Sequence, residues 1–321
     1  MIKILITGAS GFIGSHFHLY LSQEQIINLD LVAPSFDAKS TYVKGDIRKK
    51  EDIKAVLEQY DVDLIINLAA EHKDFGIERA SYFKTNEEGM RNICEAASEA
   101  GVKNIVFYSS VAVYGSNKEP STESMPPNPN LPYGESKLAG EKVLDNWVKE
   151  QPEHAALVIR PVVVYGERNV ANMYRLIDQI SRGRFFNIGK GKNVKSIAYV
   201  QNLVEATLFL IEKMKPGMAI YNYSDEPQLS SRSIATVISE ALGKRKPITF
   251  PYWLIYAMGI PFDWAIKLTG KDLPISTNRI KKFNTETYHK ADKVRREGFS
   301  PKWTNKEGLQ RMVAWYQKVK K

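Results

Sequence analysis

Tyr133 and Lys137 stand four residues apart in the run Tyr-Gly-Glu-Ser-Lys. On a helix that spacing puts both side chains on one face. A phenol has an ordinary pKa near ~10 and is a poor base at neutral pH. A lysine ammonium beside it favours the phenolate and makes it a usable base. Tyr-x-x-x-Lys alone also describes a plain solvated helix face, so the pair gains meaning only from its company. Upstream, Tyr108-Ser-Ser-Val-Ala-Val-Tyr-Gly115 ends an apolar run in two serines. A hydroxyl there can hold a reacting oxygen; it can equally cap the end of the strand.

A glycine-rich turn comes earlier. Thr7-Gly8-Ala9-Ser10-Gly11-Phe12-Ile13-Gly14 follows the β-branched run Ile2–Ile6 and opens a helical pattern from Phe12 to about Leu21. Gly8 permits the tight turn, Gly11 lets backbone approach a pyrophosphate, and Gly14 allows close helix–strand contact. The amides that open the helix face the anion. Sixteen residues beyond Gly14, Asp30 ends a second apolar run. A carboxylate there accepts hydrogen bonds from both ribose hydroxyls of NAD and repels the 2′-phosphate of NADP. The cationic nicotinamide of such a cofactor would further lower the pKa of a nearby phenol.

These residues need a frame to hold them, and the chain supplies one. Apolar runs at Ile26–Val32, Tyr42–Val43, Leu64–Leu68, Asn104–Ser109 and Ala156–Ile159 alternate with helical spacing at Lys50–Gln59, Arg79–Ala100 and Tyr133–Lys149, with Gly101 ending the second helix. That alternation predicts an α/β fold, a doubly wound parallel sheet covered on both faces. Beyond Arg160 helical stretches dominate, at about 172–182, 203–213, 231–242, 252–268 and 306–318, with short strands near 194–200 and 218–222. The reading is a Rossmann-type domain over 1–166 and a smaller, mostly helical substrate domain over 167–321, with a strand or helix free to return to the first. Ser116–Pro132 holds five prolines and reads as an irregular loop.

Composition narrows the function classes. In 321 residues, 43% are hydrophobic and 25% charged, which excludes a disordered or collagen-like chain. A single cysteine, Cys94, excludes an intrachain disulfide and a Cys-based zinc or iron–sulfur site; no metal is expected, and a reducing, cytoplasmic location fits. The net charge of +9 is unevenly spread: residues 172–321 hold 27 Lys and Arg against 12 Asp and Glu, and residues 1–171 hold 18 against 24. A basic second half suits a di-anionic ligand as well as a polyanion, and no nucleic-acid motif accompanies it. The uncharged stretch Pro247–Phe262 carries three prolines and is shorter than the ~20 residues a spanning helix needs. It reads as a core or interface helix, or as a segment resting on a membrane surface.

Taken in order, TGASGFIG, Asp30, Gly45-Asp46-Ile47, Asn67-Leu-Ala-Ala70, SSVAVYG, YGESK and Arg160-Pro-Val-Val-Val-Tyr-Gly166 resemble the extended short-chain dehydrogenase/reductases, in their NAD-dependent nucleotide-sugar epimerase/dehydratase branch. The resemblance implies a catalytic triad of Ser110, Tyr133 and Lys137. It implies NAD contacts from Gly8, Gly11, Phe12, Ile13, Gly14, Asp30, Asp46, Ile47, Leu68, Ala69 and Ala70, and places Tyr133 and Lys137 against the cofactor as well. Asn86 matches an asparagine on the helix after Ala70. Asn172 and Lys195 match positions that bind the diphosphate of the substrate, with Ser110 on the reacting oxygen. His72 and Lys73 fall near the nicotinamide end by analogy, or in a plain exposed loop. Relatives pair two long helices into a homodimer, here 79–100 and 133–149, through faces built from Ile93, Ala96, Ala97, Leu138 and Val143; burial on the chain's own sheet would use the same residues.

Three departures shape the activity. Sugar 4,6-dehydratases of this branch carry an Asp-Glu pair where Val111 and Ala112 stand, so 4,6-dehydration is not expected. Val163 replaces a common asparagine. Lys195 replaces a common arginine and gives up bidentate phosphate recognition. The implied activity is that of the UDP-sugar 4-epimerases: oxidation to a transient keto-sugar, then reduction on the opposite face. A nucleotide-4-keto-sugar reductase would use the same triad, and an NAD-sensing or RNA-binding relative would keep the fold alone. If Asp30 reads the ribose, NAD binds far more tightly than NADP, and Asp30→Ala narrows the difference. Titration of both cofactors checks this, and equal affinity in the unmodified protein refutes it.

Overall fold

The computed structural model describes residues 2–38, 40–72, 76–116, 119–269 and 276–320, without the side chains of 278, 279, 282 and 283. The chain forms two compact units. One comprises Met1–Val162, Val200–Ser224 and His289–Pro301; the other comprises Val163–Tyr199, Asp225–Tyr288 and Lys302–Lys321.

Short runs of β-branched and aromatic residues build the sheet of the first unit. Its strands are β1 (Ile4–Thr7), β2 (Ile26–Asp30), β3 (Thr41–Lys44), β4 (Leu64–Asn67), β5 (Asn104–Tyr108), β6 (Ala155–Pro161) and β7 (Gly217–Tyr223). They lie in the order β7-β6-β5-β4-β1-β2-β3, and every pairing is parallel. The winding reverses between β1 and β4, which opens a crevice at their carboxyl ends. Thr7 Oγ1 donates to Asn67 Oδ1 at 2.7 Å across that point. The helices of this unit are α1 (Gly14–Phe17), α2 (Lys50–Gln59), α3 (Arg79–Phe83), α4 (Gly89–Ala100), α5 (Pro132–Glu150) and α6 (Val200–Ile211). On one face, Leu5, Ile27, Ile65, Ile105, Phe107 and Val158 pack with Ile53 and Val56 of α2, Met90 and Ile93 of α4, and Leu144 and Trp147 of α5. On the other, the Phe17 ring meets Tyr108 edge-on, and Tyr108 Oη lies 2.6 Å from Thr207 Oγ1 of α6. With both faces covered, the strands read as continuous apolar runs.

Several elements differ from the sequence expectation. The helix expected from Phe12 to Leu21 is a single turn, Gly14–Phe17. Ser15 Oγ donates to the Phe12 carbonyl at 2.7 Å and His16 Nδ1 lies 3.0 Å from it, while the His16 amide bonds Ile13 instead. Beyond Phe17 the ladder tightens, the Leu19 amide bonding the His16 carbonyl and the Tyr20 amide the Phe17 carbonyl, so the α-helix does not continue. The helix expected over 79–100 holds a π-helical turn at Lys84–Glu88, between α3 and α4. The strand near 218–222 is β7, the edge of the central sheet beside β6, and the helix near 203–213 is α6, packed on β6; both belong to the first unit. Ile93, Ala96 and Ala97, offered as a dimer face, are buried in the chain's own core, because α4 turns them onto the sheet.

The second unit is helical, with short two-stranded pairings. Helix Asn305–Val319 packs on Ser231–Ala241, which also meets Asn172–Ser181. Its core is polar at the centre: Tyr165 Oη donates to the Asn305 carbonyl at 3.0 Å, and the Tyr199 amide donates to Asp225 Oδ2 at 2.7 Å. Helix Tyr252–Thr269 covers much of Pro247–Phe262 but is no core helix, since only Ile255 and Gly259 of it are buried.

Gly14 shows how tightly the first turn is set. A Cβ there would sit 2.4 Å from Ala9 Cα and 2.7 Å from Ala9 O, both backbone atoms that cannot swing away. Gly101 caps α4 at φ +73° with open space around it. Gly14→Ala should therefore destabilise at the upper end of, or beyond, the ~1–3 kcal/mol typical of overpacking. Gly101→Ala should cost only about 1 kcal/mol from backbone conformation. Urea denaturation of the two variants checks the order, and equal losses would refute it.

Candidate active site

The candidate catalytic side chains gather at the carboxyl end of β5. Pro132 starts α5, so Tyr133, Lys137 and Glu141 follow at successive turns on one face. Lys137 is 2% exposed, and its Nζ donates to the Tyr108 carbonyl at 2.7 Å and lies 4.9 Å from the Phe107 ring centre. Burial pushes this amine down to about 7, against an opposing pull from Glu141. Tyr133 is half-buried, and its ring centre is 6.4 Å from that of Tyr82. Ser110 follows β5; its Oγ accepts the Ala112 amide at 3.1 Å and caps the 3-10 turn Val111–Tyr114.

That turn and the start of α5 are pressed together. A Cβ on Gly134 would meet Ala112 O at 2.4 Å, so the residue after Tyr133 must lack one. Val111 and Ala112 form part of this turn and bring no titratable group to it.

The π turn between α3 and α4 serves the same place. It buries Asn86, whose Oδ1 accepts the Glu71 amide at 3.0 Å and whose Nδ2 donates to Glu71 O and to Ser136 Oγ. Ser136 Oγ in turn donates to the Tyr133 carbonyl at 2.8 Å. One asparagine thus ties the segment after β4 to the turn that presents Tyr133. A π turn is often found at functional sites.

Below the site lies a buried ionic network that the sequence reading missed. Arg160 Nη2 and Nε donate to Glu141 at 2.5 and 2.9 Å, Ser109 Oγ donates to Glu141 Oε1 at 2.5 Å, and Arg160 Nη1 donates to Tyr114 Oη. Tyr114 Oη donates to Asn222 Oδ1 of β7 at 2.8 Å. Burial opposes the Arg160 charge, but Glu141 outweighs it and holds the guanidinium pKa above its ordinary value. A signal was present: Tyr133, Lys137 and Glu141 continue one i, i+4 series, and Arg160 is a cation inside an otherwise apolar strand.

The dinucleotide elements meet at the β1–β4 crevice. Gly8 has φ +75°, and a Cβ on it would sit 2.8 Å from the Ala69 amide nitrogen. Gly11 is exposed, Phe12 and Ile13 half-buried, and Gly14 buried. Asp30 closes the loop: Oδ2 accepts the Ser10 amide at 3.1 Å and Oδ1 accepts the Val32 amide at 3.3 Å. Leu68 and Ala69 lie beside β1, the Leu68 amide donating to Thr7 O and the Ala69 amide to Thr7 Oγ1, and Ala70 follows, half-buried. A bare glycine turn, an adjoining carboxylate and the Tyr133–Lys137 face fit an adenine dinucleotide.

Two expected contacts look different in place. Asp46 is held by Arg48, whose guanidinium hydrogen bond keeps its carboxyl below the usual carboxylate value. The Ile47 side chain is buried in the core against Gly89. His72 is exposed, and Lys73 lies outside the described residues.

In the second unit, Asn172 opens a helix and is exposed. Lys195 lies on a short strand, and its Nζ donates to the Thr285 carbonyl at 2.5 Å. Among the described residues no cluster of three or more His, Cys, Asp or Glu could hold a metal.

The family model "NAD dependent epimerase/dehydratase family" matches residues 4–223, more than half of the chain. The chain belongs to that family. Among its similar proteins is the N-acetyl-alpha-D-glucosaminyl-diphospho-ditrans,octacis-undecaprenol 4-epimerase of Escherichia coli O157:H7, 38% identical over 316 residues, covering 98% of this chain and 95% of that one. The UDP-glucose 4-epimerase of Lacticaseibacillus casei is 27% identical over 289 residues, covering 77% and 84%. The solved UDP-glucuronic acid 4-epimerase of Bacillus cereus with NAD has a TM-score of 0.78 at 21% identity, with full coverage of both chains, and shares the fold. Membership of the epimerase/dehydratase family makes NAD the cofactor that the glycine turn and Asp30 would hold.

Lys137 gives a direct test of the site's electrostatics. The unfolded amine titrates near 10.5 and the folded one near 7. Between those values the unfolded chain binds more protons, so the folded state gains stability as pH rises from about 7 to 10. NMR of isotopically labelled lysines should show one amine titrating near 7 in the protein without cofactor, absent in Lys137→Met. The stability of the parent relative to Lys137→Met should rise over the same window. A Lys137 amine titrating near 10 would refute this.

Proposed function

We propose that the chain is an NAD-dependent 4-epimerase of a sugar carried on a diphosphate, an isomerase working through a transient 4-keto sugar. The buried Lys137 amine, at the end of β5 and one helical turn from Tyr133, carries this reading. In this reading the first unit holds the cofactor and the basic second unit holds the diphosphate, with Asn172 and Lys195 among its contacts.

Tyr133 Oη takes the proton of the C4 hydroxyl, and Ser110 Oγ bonds the same oxygen. Lys137 would lie against the nicotinamide ribose and, when protonated, would favour the phenolate by its charge. Ser110 Oγ accepts the Ala112 amide as the cap of its turn, and its own hydrogen can at the same time be donated to the substrate. NAD, when bound, supplies the hydride acceptor that takes the C4 hydrogen and returns it to the opposite face. The absence of an acid–base pair at Val111 and Ala112 supports epimerisation over 4,6-dehydration.

The carrier is a nucleotide in the expectation drawn from the sequence and a polyprenol in the name of the 38% identical relative. Both present a sugar diphosphate, and a panel of UDP-sugars and undecaprenyl-diphospho-sugars, with products read by NMR, separates them. Net consumption of reduced cofactor would instead identify a reductase. A homodimer would have to use the half-buried Leu138 and Val143 of α5 with neighbouring polar positions, since Ile93, Ala96 and Ala97 are already buried.

On the best substrate of that panel, Tyr133→Phe keeps the ring and its neighbour Tyr82 but removes the hydroxyl. Turnover should fall about 100- to 10,000-fold, the usual range for a lost acid–base group. NAD affinity should change little. A variant with near-normal turnover, or one that has simply lost NAD, would place the proton transfer elsewhere.

A further inference from the structure

Helix Tyr252–Thr269 of the second unit turns its apolar side outward. Trp253, Ala257, Ile260, Trp264 and Leu268 recur at i, i+4, i+7, i+11 and i+15, which makes one stripe along the helix. Trp253 is 70% exposed, Trp264 66% and Leu268 83%. The buried Ile255 and Gly259 lie on the opposite side, where Gly259 faces Ile280 and Thr277. The helix carries two charged residues, Asp263 and Lys267. Asp263 accepts from Thr277 Oγ1 at 2.5 Å and from the Thr277 amide, and the exposed Lys267 stands at the edge of the stripe beside Ile260 and Trp264, so the one charge that borders it is a cation.

The apolar surface continues past the helix. Residues Thr249–Phe250 pair with Asn187–Ile188, and the partly exposed Phe186 and Phe250 rings meet edge-on at 5.2 Å. Ile248 beside them is 71% exposed. Basic residues adjoin these strands in the chain, Lys246 among them paired with Glu240. Arg184 and Lys190 flank one strand, Lys244, Arg245 and Lys246 lead into the other, and all are exposed. The Lys281 amine lies 5.5 Å from the centre of the Tyr256 ring.

We infer that this face docks on an anionic lipid bilayer, with the helix lying in the interface. Apolar patches of this kind rimmed by polar residues mark interaction sites. Two tryptophans on one outward stripe suit the headgroup boundary, where their rings bury and their N–H groups stay wet. A basic rim adds attraction to anionic headgroups. Among the described residues no helix is long and apolar enough to cross a membrane, so the helix lies on the surface and does not span it. A protein partner or second copy of this chain would not require lysine and arginine in excess beside an apolar stripe. Docking there would also bring the protein to any substrate whose diphosphate is anchored in the bilayer. The inference stands on the helix alone and does not depend on the epimerase reading.

The test is co-sedimentation of the full chain with vesicles of phosphatidylcholine, with and without phosphatidylglycerol, beside size-exclusion chromatography without lipid. The protein should bind the anionic vesicles, bind neutral ones less, and lose affinity as salt rises. The double variant Trp253→Glu/Trp264→Glu should retain its circular dichroism and thermal midpoint and bind roughly tenfold or more weakly, since it loses two apolar anchors. Lys244→Glu/Arg245→Glu should lose the preference for anionic vesicles. The inference fails if the parent does not bind, or if the tryptophan variant binds as well as the parent. It also fails if the tryptophan variant only converts a lipid-free oligomer to a monomer. No activity measurement enters these readings, so failure of the 4-epimerase assignment would leave them intact.

Discussion

Three charged groups, Lys137, Glu141 and Arg160, are held out of water beside the carboxyl end of β5, and the first unit is built around keeping them there. Removing an ion from water costs several kcal/mol unless it is paired and hydrogen-bonded. Here Glu141 is shared among Arg160, Ser109 and the field of Lys137, while Arg160 also reaches Tyr114. Tyr114 passes the connection to Asn222 on β7, so the network fixes α5 against β5, β6 and the sheet edge together. This arrangement makes Lys137 useful. An exposed amine would remain an ordinary surface cation, whereas a buried one responds to each charge placed near it. The same burial fixes the direction of α5, and with it where Tyr133 points.

Close backbone approaches complete that positioning. Gly134 lets α5 start against the Val111–Tyr114 turn, and Gly140 faces the Asn86 carbonyl at a distance that no side chain could tolerate. The asparagine then grips the segment after β4 by both the amide and the carbonyl of Glu71. Serine, tyrosine and lysine are therefore set by the 3-10 turn after β5 and by the start of α5.

The strand–turn–helix frame was legible because buried parallel strands write themselves as apolar runs, and the glycine turn, Asp30 and the Tyr133–Lys137 spacing are local features. What stayed hidden was of two kinds. Some of it is geometry without a distinct pattern: a single π turn is too short to mark the sequence, and the early end of α1 comes where i to i+3 bonds replace the α-helical ladder. The rest depends on distant partners. Nothing near residue 220 announces that it pairs with β6, and nothing near Glu141 names Arg160. Helix Tyr252–Thr269 adds a third lesson, since hydrophobicity tells how much a segment prefers to leave water and not what will cover it.

The position of β7 also sets a timetable. A sheet of parallel strands gains each edge only when the crossover that delivers it has been made. During synthesis, β1 to β6 emerge long before β7, which arrives after the first segment of the other unit, and the stretch His289–Pro301 follows far later still. Until then β6 is an open edge with unpaired amides and carbonyls, and Tyr114 lacks Asn222. The nascent first unit thus stays an unfinished template until β7 and then His289–Pro301 have emerged.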